Sequence, residues 1–100
     1  VNDARRLPPR AELLPNAPNP FNPATTIRFN MPRGDNVRVA IYNVQGQLVK
    51  TLVSGHHTVG QHTAVWNGTT VNGRQVASGV YFYRLVTDQG TRVRRMTLVR

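Results

Sequence analysis

Carboxylate side chains are scarce in this sequence, and they are the first candidates for acid–base chemistry. A glycosidase-type site needs two carboxyl groups that the fold holds roughly 5–10 Å apart. Asp3 and Glu12 fall in a leader rich in proline and arginine, whereas Asp35 and Asp88 fall in separate predicted turns. The spacing therefore predicts no carboxylate pair.

Histidine and serine are the other residues whose chemistry could make a site. His56 and His57 are neighbours in a predicted loop and His62 lies on the next predicted strand, without a cysteine or nearby carboxylate to complete a metal's ligands. Ser54 and Ser78 lack a nucleophile elbow or a partner base, and no glycine pattern matches a phosphate-binding loop. We expect a protein that is not an enzyme, with no catalytic residue, no metal site and no cofactor.

Positive charge is the most unusual bulk property of the sequence. The 13 lysines and arginines outnumber the 4 acids and give a net charge of +9. Such a surface attracts phosphates and carboxylates, so anionic lipopolysaccharide is a candidate partner. Nucleic acid is not expected, because no series of exposed aromatic residues interleaves with the basic ones. The basic residues are concentrated towards the two ends, at Arg5, Arg6, Arg10, Arg92, Arg94, Arg95 and Arg100.

Length and composition limit the fold to one small domain. A chain of 100 residues can bury one modest core, and without cysteine it must be stabilised by packing and backbone pairing. No apolar run approaches the roughly 20 residues that span a bilayer, so no transmembrane segment is expected. Because the sequence starts at Val1 rather than Met, we expect a piece of a longer polypeptide, with any export signal upstream.

Prolines dominate the first quarter of the sequence. Residues 1–12 lack hydrophobic periodicity and carry Pro8 and Pro9 among charges, a composition typical of a linker. Over residues 13–23 prolines fix the backbone and remove N–H donors, which excludes a helix and a central strand. Phe21 is the one aromatic residue there, and its burial is worth roughly 1.5–3 kcal/mol. We expect Phe21 to pin this segment to the edge of the folded domain.

Beyond Pro23 the sequence alternates between apolar and polar residues in short segments separated by turns, the pattern of β-strands. Six strands are predicted, over residues 25–31, 36–44, 48–53, 61–67, 80–87 and 91–99. Alternation with a period of two assigns the inward side chains. The expected core residues are Phe21, Ile27, Phe29, Val39, Ile41 and Trp66. The segment over residues 80–87 is partly apolar on both faces, which predicts a central strand.

For the third predicted strand, the sequence allows either of two pairs of apolar residues to face the core. These pairs are Leu48 with Leu52, and Val49 with Val53. We favour the leucines, because Lys50 between them can extend its ammonium group to water at a sheet edge. Residues 54–57, which follow, are predicted to form a loop.

Together, these elements indicate the fold class. Six strands and the proline-rich lead-in come close to the strand count of an immunoglobulin-like domain. We therefore predict an all-β fold, an immunoglobulin-like antiparallel β-sandwich of about seven strands over residues 13–100, preceded by a linker over residues 1–12.

Beyond the strand pattern, the sequence contains several ordered blocks. They are Leu14-Pro15-Asn16, Pro18-Asn19-Pro20-Phe21-Asn22-Pro23, Tyr42-Asn43, Gly46-Gln47, Gly60 with His62 and Trp66, Gly68, Gly73, Val76 to Leu85, and finally Met96, Leu98 and Arg100. In their order and spacing these blocks resemble the C-terminal sorting domains recognised by the type IX (Por) secretion system of certain Gram-negative bacteria. The resemblance covers residues 14–100.

The resemblance implies a β-sandwich at the C-terminus of a secreted hydrolase or adhesin, its cargo, which the domain carries across the outer membrane to the cell surface. The implied partners are the outer-membrane translocon and a sortase, which cuts in the linker before Leu14 and exchanges the domain for a surface anchor. The implied sorting signal comprises Gly79, Tyr81, Tyr83, Arg84, Leu85, Arg94, Arg95, Met96, Leu98 and Arg100. In the last strand we expect Met96 and Leu98 to seal the core while the arginines face outward to a receptor.

Two departures and two alternatives accompany this resemblance. Asn67 stands where sorting domains usually have aspartate, which disfavours calcium in that loop because Ca²⁺ prefers several carboxylate or carbonyl oxygens. Arg100 replaces the more usual closing lysine. The immunoglobulin-like domain of flagellar hook-capping proteins shares the Trp-x-Gly and Gly-x-Tyr skeleton, so a structural assembly module is the first alternative. A basic carbohydrate-binding module is the second, and the expected burial of Trp66 argues against it.

Overall fold

The computed structural model describes residues 10–100, which form two facing antiparallel β-sheets. The strands are β1 (Glu12–Leu13), β2 (Thr25–Met31), β3 (Asp35–Tyr42), β4 (Leu48–His57), β5 (Gly60–Trp66), β6 (Gly79–Thr87) and β7 (Gly90–Leu98). One sheet has the order β1-β2-β5 and the other β4-β3-β6-β7. The predicted all-β sandwich of seven strands is confirmed. Within residues 10–100 there is no helix long and apolar enough to cross a membrane.

The core lies between the two sheets and is centred on aromatic residues. The six residues expected in the core are all buried, at Phe21, Ile27, Phe29, Val39, Ile41 and Trp66. The Trp66 ring lies 5.7 Å from the Phe21 ring and 5.2 Å from the Tyr81 ring, between centroids. Its indole N–H donates to the Thr69 carbonyl at 2.9 Å. Trp66 therefore packs inside the sandwich and cannot serve as an exposed platform for a sugar.

The proline-rich lead-in covers the edge of β7 near its end. The Phe21 N–H donates to the Thr97 carbonyl at 3.0 Å, and the Phe21 carbonyl accepts the Val99 N–H at 2.9 Å. Phe21 thus pairs in parallel with Leu98 while its ring enters the core. The segment is pinned to the sandwich edge through Phe21, as the sequence led us to expect.

The folded domain begins before Leu13, within residues 1–12, which the sequence predicted to be a linker. Ala11 is buried, and Glu12 pairs with Asn30 of β2. Residues 1–9 of the predicted linker lie outside the described residues.

The inward face predicted for β4 is wrong in part. Leu48 is 52% exposed, whereas Val49, Leu52 and Val53 pack against the core. The cause is a pair of register shifts where β4 pairs with β3. Leu52 and Val49 are the extra residues at these two irregularities, and each one breaks the period of two on which the prediction relied.

The loop predicted over residues 54–57 is also wrong, because β4 continues through it. His57 pairs with Asp35 and Gly55 pairs with Val37, so these residues extend the ladder to the start of β3. Polar residues and glycine are tolerated here because β4 is an edge strand that is open to solvent on one side.

Candidate interaction surface

β6 is an inner strand of the four-stranded sheet and positions half of the predicted signal residues. It pairs with β3 on one side and β7 on the other. Its alternation turns Tyr81, Tyr83 and Leu85 into the core, where Met96 and Leu98 of β7 join them. These five residues of the predicted signal are therefore buried and hold the fold together rather than facing a partner.

The two buried tyrosines each bond to backbone through their hydroxyl groups. The Tyr83 hydroxyl donates to the Leu14 carbonyl at 2.7 Å and accepts the Asn16 N–H at 2.9 Å, which anchors the lead-in. The Tyr81 hydroxyl donates to the Ala77 carbonyl at 2.7 Å. Burial raises the pKa of both tyrosines, so both hydroxyls remain protonated donors at neutral pH.

Arg94 and Arg95 are both exposed, but they project from opposite faces of β7 rather than from one outward face. Arg94 lies on the same side of the strand as Met96. Its Nε–H donates to the Leu13 carbonyl at 2.6 Å and so ties β7 to β1. Because a side chain that holds two strands together cannot be removed without structural cost, Arg94 has a structural role.

Arg100 is engaged in a similar way with the loop between β5 and β6. Its Nε–H donates to the Val76 carbonyl at 2.6 Å and its Nη2 donates to the Gly68 carbonyl at 2.5 Å. Gly68 has a φ of +73°, and a Cβ there would lie 2.8 Å from Arg100 Nη2 and 3.3 Å from Leu98 Cδ2. The positive φ therefore favours glycine where the Arg100 guanidinium closes on this loop.

Arg84 lies on the outer face of the four-stranded sheet, next to two residues of β3. Its guanidinium carbon is 4.4 Å from the centroid of the Tyr42 ring, a cation–π contact. Arg84 Nη2 donates to the Tyr42 hydroxyl at 2.5 Å, and Arg38 Nη1 lies 3.5 Å from the same oxygen. Two guanidinium groups thus converge on one tyrosine hydroxyl.

Arg95 extends this outer face onto β7. The register places Arg95 opposite Phe82, and Arg84 opposite Val93. Val93 is 56% exposed. We name the surface formed by Arg38, Tyr42, Phe82, Arg84, Val93 and Arg95 the Arg–Tyr face.

Of the predicted signal residues, only Arg84 and Arg95 contribute side chains to the Arg–Tyr face. Gly79 carries no side chain and pairs with Leu98 where β6 begins. Sequence reasoning did not assign Tyr42 or Arg38 to the signal, although two sequence features pointed to them. Tyr42 belongs to one of the blocks of the resemblance, and the alternation of β3 turns Arg38 outward.

Asp35 and Asp88 lie next to each other, so the prediction of no carboxylate pair is wrong. Asp35 begins β3 and Asp88 follows β6, and these strands are antiparallel neighbours whose turns meet at one end of the sheet. Asp35 Oδ1 also accepts the N–H of Asn36 at 2.7 Å. A hydrogen bond from the Asp88 carboxyl lowers the pKa of Asp35, while that same bond and the Asp35 charge raise the pKa of Asp88.

The substitution Asp88→Asn should raise stability at neutral pH. Because the pKa of Asp88 is raised, its protonated form stabilises the fold. This contribution is complete below pH 3.8, the pKa of the carboxyl in the unfolded chain, and is lost as the pH rises through the higher pKa of the folded protein. The amide in Asp88→Asn can donate a hydrogen bond to Asp35 at every pH, whereas the side chain in Asp88→Ala has no donor. We expect the Tm of D88N to exceed the wild-type value at pH 7 and to approach it below pH 3.8. D88A should fall below wild type in acid, and parallel pH profiles for all three proteins would contradict the pairing.

Two histidines meet at the seam between β4 and β5. The rings of His57 and His62 lie edge to face at 4.9 Å, and His62 stacks on Phe29 at 5.4 Å, between centroids. His62 Nε2 lies 2.8 Å from the Thr58 carbonyl oxygen. Among residues 10–100 no group of three or more histidine, cysteine, aspartate or glutamate side chains could hold a metal ion. The two rings therefore serve as packing between the sheets.

Comparison with solved structures finds a similar sandwich within other bacterial proteins. Dimeric latent PorU from Porphyromonas gingivalis superposes with a TM-score of 0.73 at 26% identity, over 89% of this chain and 9% of PorU. PorZ, an essential surface component of the type IX secretion system of the same organism, gives 0.60 at 23% identity, over 90% of this chain and 11% of PorZ. This chain thus spans about a tenth of either protein. No curated protein matches the sequence.

The immunoglobulin-like character of the fold follows from two further matches. FlgD from P. aeruginosa gives a TM-score of 0.59 at 20% identity, over 88% of this chain and 70% of FlgD. At such identity, PorZ and FlgD show the shared fold alone. The family model of the FlgD Ig-like domain matches residues 22–91 of the sequence. On that match, the chain belongs to the FlgD Ig-like domain family.

Proposed function

We propose that this domain is a non-catalytic sorting and attachment module, which directs a cargo protein across the outer membrane of a Gram-negative bacterium to the cell surface by the type IX route. The similarity to PorU supports this function, as do the blocks from Leu14 to Arg100 that resemble sorting domains. The cargo precedes the domain in the same chain and is a hydrolase or an adhesin.

One structural observation carries this proposal, namely that the block from Pro18 to Pro23 is joined to the segment that carries the closing block of the resemblance. Asn19 Oδ1 accepts the Thr97 N–H at 3.0 Å, and the Phe21 backbone bonds to Thr97 and Val99. All four residues lie outside residues 22–91, which the FlgD Ig-like family accounts for. The joined edge is thus a feature beyond the family match, and it favours sorting over hook capping.

In this function the domain is recognised in its folded state, and the chemistry belongs to its partners. The translocon binds the sandwich, and the sortase cuts the chain ahead of it and attaches an anchor such as anionic lipopolysaccharide. Ala11 and Leu13 are buried, and the Ala11 N–H donates to Gln89 Oε1 at 3.2 Å. A cut that leaves the sandwich intact must therefore fall before Ala11, rather than anywhere before Leu14.

The proposal is tested by fusing residues 1–100 to an inert reporter behind an ordinary export signal, in a host with the type IX machinery. We expect the reporter at the cell surface or in the medium. Deleting residues 96–100 removes buried Met96 and Leu98, so that fusion should stay in the periplasm. An intact fusion that folds, as shown by protease resistance, yet stays in the periplasm would refute the sorting function.

A structural assembly module of the hook-capping type is the second candidate, and the family match favours it. Such a module would pack between subunits of an assembly instead of being handed to a translocon. It is the function to adopt if the folded fusion remains periplasmic.

A further inference from the structure

We propose that the Arg–Tyr face docks onto an acidic protein surface, and that the secretion machinery engages the domain there. This inference rests on the proposed function and specifies which face of the sandwich is read. A partner can reach this face, whereas the predicted signal residues that are buried in β6 and β7 are inaccessible to it.

The charge of this face favours an acidic partner. In the cross-strand rows through Arg38, Arg84 and Arg95, every charged side chain is an arginine. Of the acids among residues 10–100, Glu12 lies on the three-stranded sheet, and Asp35 and Asp88 lie at the end of the four-stranded sheet, where Asp88 borders one depression with Arg38. Uncompensated like charges on one face repel one another, and a partner that brings carboxylates removes this cost.

The hydrogen-bonding state of Tyr42 also favours an anionic group on the partner. Its oxygen accepts from Arg84 and, more distantly, from Arg38. A phenolic hydroxyl that accepts from two guanidinium groups has its own hydrogen free to donate. A carboxylate has two acceptor oxygens, so it can take this O–H together with unused N–H groups of Arg84. The cluster thus presents several donors to an anion.

The apolar surface beside these donors indicates a protein partner. A depression of about 320 Å³ lies over Phe82, Val44 and Val93 next to the Tyr42 ring. Val44 and Val93 are 68% and 56% exposed. Arginine and aromatic residues beside apolar ones are typical of protein interfaces. The Arg84 guanidinium already covers one face of the Tyr42 ring, which leaves that face unavailable to stack on a sugar.

The test uses the reporter fusion with Arg95→Glu and, separately, with Arg38→Gln/Arg84→Gln. Arg95 is exposed, so reversing its charge should leave the fold intact and still repel an acidic partner. The matched control is Arg28→Gln, on β2 of the opposite sheet. We expect both test fusions to reach the surface and medium at least tenfold less than the unchanged fusion, and R28Q to be exported normally. Thermal unfolding of the purified domains verifies that each variant is folded.

Each result supports or overturns the docking face. Export of folded R95E and R38Q/R84Q at the level of R28Q would overturn it while leaving the sorting function in place. Variants that cross the outer membrane but are released to the medium instead of being retained on cells would assign the face to an anionic polysaccharide, which also overturns a protein partner. If the unchanged fusion is not exported, both proposals fail.

Discussion

Replacing Trp66 with alanine is expected to lower the free energy of unfolding by about 3–5 kcal/mol, the usual cost of emptying a large aromatic site in a core. Trp66 is 0% exposed and contacts both Phe21 and Tyr81. Small domains have only about 5–15 kcal/mol of stability in total, so this variant should lose a large share of its stability.

Chemical denaturation followed by far-UV circular dichroism measures the loss for Trp66→Ala, since the substitution removes the one tryptophan. Val65→Ala is the matched control, because Val65 is the preceding residue of β5 and is 63% exposed. Its change should stay within about 0.5 kcal/mol. A loss below about 1 kcal/mol in W66A would mean that Trp66 is not a core residue, and would revive a ligand-binding role.

Tyr83→Phe is the second large effect, expected to cost about 1–3 kcal/mol, because it leaves the Leu14 carbonyl and the Asn16 N–H without their partner. Tyr81→Phe is the matched control on the same strand and face. It frees only the carbonyl of exposed Ala77, which water can bond, so about 1 kcal/mol or less should be lost.

Amide hydrogen exchange provides a local readout for the same pair of variants. In Y83F the Asn16 N–H should lose protection, because its acceptor is removed while the rest of the sandwich is retained. In Y81F that amide should be unchanged. Equal stability losses with unchanged exchange at Asn16 would show that Tyr83 does not anchor the lead-in.

Alternation predicted the fold well wherever one face of a strand is buried throughout. Ile27, Phe29 and Met31 follow a strict period of two on β2 and all point into the core. The same rule failed on β4, since the extra residues Val49 and Leu52 shift the register. Such irregularities arise from pairing with a neighbouring strand, and a single strand's sequence does not reveal them.

The candidate surface was less predictable than the fold, because it depends on which strands become neighbours. Tyr42 and Arg84 are 42 positions apart in the sequence and meet only because β3 and β6 pair. The closeness of Asp35 and Asp88 has the same origin. The side of Arg94, in contrast, was already determined in the sequence, since it stands two residues before inward Met96 and must share its face.

The contact between the lead-in and the last strand also has a consequence for how the domain folds. Phe21 pairs with Leu98, and Asn16 bonds to Tyr83, so the closing contacts join residues at opposite ends of the domain. Contacts so distant in sequence make folding slow, typically milliseconds to seconds for β-sandwiches. Phe21 has no backbone partner on β7 until residues 97–99 have left the ribosome, so the sandwich can be completed only after its last strand has been translated.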